Sequence, residues 1–380
     1  MSSALRDVHG NLLVVRPPVP VTFNKAGANY KSEIAHPEYS PRAAYEEWLA
    51  ICDGIIALGG DAVFAFEPDD DRFLDAGDLT ITAGGDICPA GSTTVLGCAA
   101  DMLTGRVFTA NGPWVVRDGD TVRAVMPNML AHRRAEAPYY RQLLAAIAGE
   151  IGCTLEVTDN PHRWEGMADV AVIGDQVVLT YAVPGRYDEG LPPKSPRSSR
   201  EGVAFAADAA GIPESARVYA ELAYPHFHGD TIGFGARPAA GGAVYVAYAN
   251  GLYGDSKTAI GHALAAPVLE IDRGDAQDAY ASNSRQVAGG ALIPGGASSR
   301  FESAMRDLGL TVRRVDLFEL FGKAGGGPAC ATLYLPATLD LPASSPLRYS
   351  VAREKAHARS PRLARRVTVD PAFFAQARRG

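Results

Sequence analysis

A cysteine that follows three consecutive glycines is the sharpest chemical signal in this chain of 380 residues. In KAGGGPACATLYL, Gly325, Gly326 and Gly327 leave the backbone free to approach a ligand and to adopt positive φ, and Cys330 comes three residues later. A thiol so placed is a candidate nucleophile. The alternative is a small buried hydrophobe, which is what most free cysteines are. His228, in YPHFHGDTIGF, stands two residues before Asp230. In an extended strand those two positions share a face, so both side chains would enter one cavity. A carboxylate beside an imidazole fixes its tautomer and raises its pKa, as a general acid/base requires. A histidine satisfied inside the core is the plainer alternative. His226 has the same spacing from His228 and a histidine pair can hold a metal, but no third ligand has suitable spacing. The reading therefore assigns no metal and no cofactor. Glu165, in NPHRWEGMADV, follows a Trp and precedes a Gly, a setting for a partly desolvated carboxylate or for a turn cap. Asp169 is the second acid of that segment.

These residues recur on a pattern. The sequence reads NGPWVVRDGDTVRAVMP from 111, DVAVIGDQVVLTY from 169, DTIGFGARPAAGGAVYVAY from 230 and NSRQVAGGALIP from 283, and ATLYLP follows Cys330. Each begins with a polar residue and continues as an apolar strand, and the first four then turn into a second strand. Turns are expected at Gly174-Asp175 and Gly289-Gly290. The starts lie 47 to 61 residues apart, a period that signals repeated units. Helical spacing is present over 43–58, with Trp48, Ile51 and Ile55 inward, over 138–151, with Tyr140, Leu143, Leu144 and Ile147 on one face, and over 299–309. The unit is strand, strand, helix, strand, repeated about five times. Such units bury their faces only by closing on each other, which predicts one domain and brings Asn111, Asp169, Asp230, Asn283 and Cys330 to one axial site. The segment 184–200 reads as a long loop.

Composition narrows the classes. Hydrophobic residues at 47% and charged residues at 21% suit a globular chain, and 40 glycines imply many tight turns, which disfavours long bundles. A net charge of −7 argues against a nucleic-acid binder. Residues 341–380 nevertheless hold nine Lys/Arg against two acids. That extension is expected to fold back onto the acidic body of residues 1–340, the catalytic domain; contact with a nucleic acid or an acidic membrane is the alternative. No apolar run approaches the roughly 20 residues needed to span a bilayer, and the N-terminus lacks a signal-peptide pattern. Five cysteines without CxxC spacing suit a reducing compartment, hence a cytoplasmic expectation.

Taken together, residues 104 to 336 resemble the guanidino-group-modifying (pentein) enzymes: arginine deiminases, dimethylarginine dimethylaminohydrolases, dihydrolases and amidinotransferases. GRVFTANGPWVV looks like the family's FT-x-[DN] strand, and HRRAEAPYY like its R-x-x-E segment before a helix. WEGMADV resembles the acid segment EGxGD, HGDTIGF the HxD segment and SNSRQVAGG the Asn-containing hairpin; KAGGGPAC resembles the nucleophile segment GGG-x-x-C. The resemblance implies an α/β fold, a pseudo-fivefold α/β propeller of ββαβ units. It implies Cys330 as nucleophile, His228 as general acid/base, Glu165 as the acid binding the guanidinium and Asp230 as a second carboxylate. Asn111, Asp169 and Asn283 would bind substrate. Arg197, in SPRSSREG, would bind a substrate carboxylate or remain a solvated loop residue. A thiolate would attack the guanidinium carbon and leave an amidino-thioether, which water resolves in a hydrolase and an amine acceptor resolves in an amidinotransferase. A non-catalytic guanidine-binding relative is the third reading. Two departures shift the expectation away from ordinary arginine deiminase activity. Asn111 stands where deiminases and amidinotransferases usually have Asp, as it does in dihydrolases, and Ala329 stands where hydrolases often have His. The implied partner is a small guanidino substrate, with no nucleic acid and no membrane; homo-oligomerisation is left open.

Overall fold

The computed structural model describes residues 11–20, 38–187, 197–323 and 325–373. The chain opens with β1 (Leu12–Val14), β2 (Glu38–Tyr39), α1 (Pro41–Ala57) and β3 (Asp61–Val63), followed by β4 (Leu79–Ile81), β5 (Asp86–Pro89) and β6 (Gly97–Cys98). Four similar stretches come next. They are β7 (Trp114–Asp118), β8 (Thr121–Met126), α2 (Ala137–Glu150) and β9 (Thr154–Asp159); then β10 (Val170–Ile173), β11 (Gln176–Tyr181), α3 (Arg200–Ala209) and β12 (Arg217–Glu221). After these come β13 (Gly233–Ala236), β14 (Val244–Ala247), α4 (Gly254–Ala263) and β15 (Val268–Glu270), then β16 (Arg285–Val287), β17 (Gly290–Pro294), α5 (Ser299–Asp307) and β18 (Thr311–Val315). The chain ends with β19 (Leu333–Tyr334), α6 (Tyr349–Arg359) and β20 (Val367–Val369).

Each of the four stretches forms its own three-stranded sheet. The first two strands pair antiparallel as a hairpin, and the third returns parallel to the second after a helical crossover. A fifth sheet has the same pattern but joins the two ends of the fold. In it β19 lies antiparallel to β1, with Leu13 opposite Tyr334, and β1 lies parallel to β3 across α1. The result is a mixed α/β fold of many small sheets.

Local chemistry explains the elements. α1 starts at Pro41 behind Ser40, whose hydroxyl accepts the Ala43 N–H at 3.2 Å, and Ser199 and Ser298 cap α3 and α5 in the same way. The inward faces expected for α1 and α2 are the buried ones: Trp48, Ile51 and Ile55 pack with Leu13 of β1 and Ala62 of β3, and Tyr140, Leu143, Leu144 and Ile147 with Val115 of β7 and Val122 and Ala124 of β8. The β10–β11 hairpin turns at Gly174-Asp175 as expected, since Ile173 opposes Gln176. The β16–β17 turn falls one residue earlier than expected, at Ala288-Gly289, because Val287 opposes Gly290. Gly290 is a glycine for packing instead: a Cβ there would lie 2.5 Å from Leu58 Cδ2.

A five-stranded sheet, ordered β2-β20-β4-β5-β6, stands apart from this pattern and has its own core of Phe73, Leu79, Ile81, Ile87, Val367 and Val369. The basic C-terminal stretch supplies its second strand. Tyr349 on α6 packs edge-on against Trp48 and donates to Asp53 at 2.8 Å. Arg353, Arg359, Arg362 and Arg366 pair with Asp53, Asp71, Asp75 and Glu38. Arg378 and Arg379 lie outside the described residues. Among the described residues, no helix is long and apolar enough to cross a membrane.

Candidate active site

The first strand of each unit is entered through a short turn, and those turns carry the polar residues of the repeat. Asn111 closes the 3-10 turn Thr109–Asn111 before β7, and Asp169 closes Gly166–Asp169 before β10. Asp230 is central in Gly229–Thr231 before β13, and Asn283 closes Ala281–Asn283 before β16. Cys330 lies in the turn before β19, where the Ala331 N–H bonds Gly327 O at 3.1 Å. All five are buried. The turns pack closely: Gly166 has φ +79, and a Cβ there would come within 2.3 Å of Gly112 O. Gly326 sits against the Phe108 ring, where a Cβ would meet Cε1 at 2.1 Å.

Cys330 Sγ is 3.1 Å from Asp230 Oδ2 and 3.1 Å from Asn283 Nδ2. Burial and the adjacent Asp230 carboxylate push the thiol well above its ordinary value, against the Asn283 amide and the Gly327 N–H. Asp230 is itself raised by burial, partly offset by His228 and Cys330. Its second oxygen, Oδ1, is buried with no hydrogen-bond partner among the described residues.

His228 and Asp230 do not share a strand face as the extended reading expected. The chain turns between them, so Asp230 meets the thiol while His228 Nε2 lies 3.0 Å from Glu165 Oε2. The carboxylate on the imidazole is therefore Glu165. The two residues occupy matching positions, each immediately before the 3-10 turn of its own unit. Glu165 is fully buried and also accepts from Leu130 N at 3.2 Å and from Arg197 Nη1 at 3.2 Å. Burial alone would raise its pKa, but Arg197, His228 and Arg133 outweigh it and hold the carboxyl well below the ordinary range. Arg197, far from being a solvated loop residue, is buried on Glu165, with its guanidinium 5.9 Å from the centre of the Phe227 ring. Residues 188–196 of the long loop preceding it lie outside the described residues.

Two of the residues expected to bind substrate are engaged within the protein. Asn111 donates to Glu165 O at 2.9 Å and accepts from Arg133, which is itself bidentate on Glu136. Asp169 accepts from Thr180 and from Gly229 N at 2.9 Å and from Ser198 at 2.5 Å, with its pKa raised by burial against these donors and His228. It ties the β11 strand and the loop before α3 of its own unit to the turn that enters β13. Ser198 was not singled out in the sequence; its one signal is its place just before the helix-capping Ser199. Arg133 and Glu136 were visible as the R-x-x-E spacing but carried no role. His226 is a core histidine: its Nδ1 lies 3.1 Å from Thr231 O, and burial pulls its pKa down to about 4. Among the described residues, no group of three or more His, Cys, Asp or Glu is arranged to hold a metal ion. All five cysteines are free.

No protein-family model and no curated protein sequence matches the chain. Solved structures do. The N-terminal domain of ArgZ, an arginine dihydrolase from cyanobacteria, solved as a substrate-bound mutant, shares 19% identity over 86% of this chain and 98% of that domain, with a TM-score of 0.60. The ternary complex of AgrE with ornithine and NAD+ gives 19% identity over 88% of this chain and 40% of the AgrE chain, with a TM-score of 0.60. DDAH from Pseudomonas aeruginosa, complexed with citrulline, gives 17% identity over 85% of this chain and 98% of that one, with a TM-score of 0.53. The chain thus has the fold of the guanidino-modifying enzymes. The likeness in fold to the N-terminal domain of ArgZ extends over nearly that domain's whole length.

Proposed function

We propose that the chain is a cysteine-dependent hydrolase of guanidino C–N bonds, acting on arginine or a derivative. The observation that carries the reading is the pairing of the Cys330 thiol with Asp230, whose other oxygen is buried and unpartnered beside it. A planar cation with several N–H donors supplies what that oxygen lacks. Its charge also offsets the carboxylate that disfavours the thiolate, so substrate binding and nucleophile activation are coupled. With the cation bound, Cys330 reacts as the thiolate and His228 carries the proton: Sγ bonds to the guanidinium carbon and the C=N π pair moves onto nitrogen. The C–N bond to the leaving amine or ammonia breaks as His228, held by Glu165, gives that nitrogen a proton. Water then adds to the amidino-thioether carbon, returning a proton to His228, and the C–S bond breaks to restore the thiolate. Asn111 and Asp169 serve as positioning residues for Glu165, His228 and the turn of Asp230.

We further infer that the five units are the blades of a pseudo-fivefold propeller, supported by the common strand order and by the β19–β1 pairing that joins the last unit to the first. Residues 11–340 would form the catalytic body, with 341–373 packed on it.

The test incubates the purified chain with arginine, with and without amine acceptors, and follows products and a trapped Cys330 adduct by mass. Ornithine and ammonia without an acceptor support a dihydrolase, and citrulline indicates deimination. Turnover only with an acceptor would replace hydrolysis by amidino transfer, and no guanidine turnover or adduct would reject the reading.

A further inference from the structure

Asn283 was expected to bind substrate, yet every polar group of its side chain faces the nucleophile and its neighbour. Its Oδ1 accepts the Cys330 N–H at 3.0 Å, and its Nδ2 donates to Cys330 Sγ at 3.1 Å and to Asp230 O at 3.0 Å. Its own carbonyl accepts the Ala329 N–H at 3.0 Å. The side chain is fully buried, and Gly327 leaves it room: a Cβ on that glycine would lie 2.9 Å from Asn283 Oδ1. The turn that presents it begins after Tyr280, which holds the left-handed conformation at φ 52, ψ 39, uncommon for an aromatic residue. Such strain persists only where the surroundings over-determine it. Here Ser282 Oγ donates to Thr231 O and Ser284 Oγ to Ala281 O, both at 2.7 Å, fixing the turn on either side of Asn283.

An amide N–H pointed at sulfur stabilises a thiolate more than a thiol, because the ionised acceptor makes the stronger hydrogen bond. That contribution matters at this site, where a dry environment and a carboxylate both oppose ionisation. We propose that Asn283 is a catalytic residue that favours the thiolate of Cys330 over the thiol and fixes its direction of attack, and that it does not read the substrate. The proposal rests on Cys330 being the nucleophile, but its test needs no guanidine.

The rate of Cys330 alkylation by iodoacetamide is followed from pH 6 to 10 by mass spectrometry of the peptide that carries it, in wild type, Asn283→Ala, Asn283→Asp and Ser282→Ala. Thiolate absorbance at 240 nm, taken as the difference from Cys330→Ser, is titrated in parallel. Asn283→Asp is nearly isosteric and keeps an oxygen for the Cys330 N–H, but turns an acceptor towards the sulfur. Both Asn283 variants should alkylate at least about tenfold more slowly at pH 8, with the titration midpoint moved up by about one pH unit or more. Ser282→Ala loosens the same turn without touching sulfur and should leave the midpoint in place. Superimposable wild-type and Asn283→Asp profiles would overturn the proposal, as would an equal displacement in Ser282→Ala. If Asn283→Ala fails to fold, the Asn283→Asp titration decides alone. A displaced profile in a protein that turns over no guanidine would instead reject the proposed substrate class and leave Asn283's role intact.

Discussion

Arg197 Nη1 lies 3.2 Å from Glu165 Oε2, the same carboxylate oxygen that His228 Nε2 approaches to 3.0 Å. An arginine from the loop before α3 thus balances the charge of the carboxylate that orients the imidazole. Removing it would leave Glu165 buried with less compensation. Arg197→Met should cost about 3 kcal/mol at pH 7, the range for breaking one side of a buried pair. The pH dependence follows from the depressed carboxyl. Its folded value lies below the unfolded value of about 4.3, so the stabilisation is complete above about pH 4.3 and is lost as the pH falls from there through the folded value. In Arg197→Met the folded value rises, so the cost relative to wild type should be full at pH 7 and shrink as the pH falls below about 4.3. Urea midpoints measured from pH 7 to 3 check both; a variant matching wild type at pH 7 would remove Arg197 from this role.

Cys330 and Cys153 separate chemistry from packing. Cys330 contacts Asp230 and Asn283, whereas Cys153, half-buried just before β9, has its Sγ 3.9 Å from Ile151 O and packs against the apolar cluster under α2. Cys330→Ala should lower guanidine turnover at least about 10³-fold, as loss of a nucleophile does. Cys153→Ala should stay within about twofold. Steady-state assays on both purified variants decide it, and equal activities would refute the nucleophile.

The repeat was legible because each unit reuses one local code: a polar residue, an apolar strand, a glycine-bearing turn and an amphipathic helix. Cys330 stood out through its glycines, and the inward faces of α1 and α2 through their spacing. What stayed hidden depends on how units meet. Whether His228 takes Asp230 or Glu165 as its carboxylate turns on three residues, Gly229–Thr231, winding as 3-10 and not extending, which the i, i+2 rule cannot foresee. The burial of Arg197 on Glu165 brings together residues 32 apart in sequence. The five-stranded sheet escaped notice because its strands are only two to four residues long and come from three distant segments.

Gly166 tests whether the turns must interlock. It needs both a left-handed backbone, φ +79, and the absence of a Cβ, which would meet Gly112 O at 2.3 Å and Asn111 O at 2.4 Å. Backbone atoms cannot move aside as a flexible side chain can. Gly166→Ala should therefore cost about 3 kcal/mol or more, combining strain with displaced backbone. Gly119 has φ +58 but open space around it, so Gly119→Ala should cost only about 1–2 kcal/mol. Thermal or urea unfolding of the two variants gives the comparison, and similar losses would mean that strain alone, without packing between turns, accounts for Gly166.

The C-terminal stretch carries ion pairs and a strand, and the two have different weights. Arg366 and Glu38 pair at the surface with both side chains more than half exposed, a setting where pairs contribute about 0–1 kcal/mol. Val367, one residue on, is fully buried, pairs with Tyr39 on one side and Leu79 on the other, and packs within the core of the five-stranded sheet. Arg366→Ala should thus lower stability by less than about 1 kcal/mol, and 0.5 M salt should change wild type little. Val367→Asp places an unpaired charge in that core and should cost about 3 kcal/mol or more, or unfold the sheet. Urea titrations of the two variants, with and without salt, discriminate between the contributions. A larger loss in Arg366→Ala than in Val367→Asp would mean that charge, not strand pairing and apolar burial, fastens the basic tail to its acidic body.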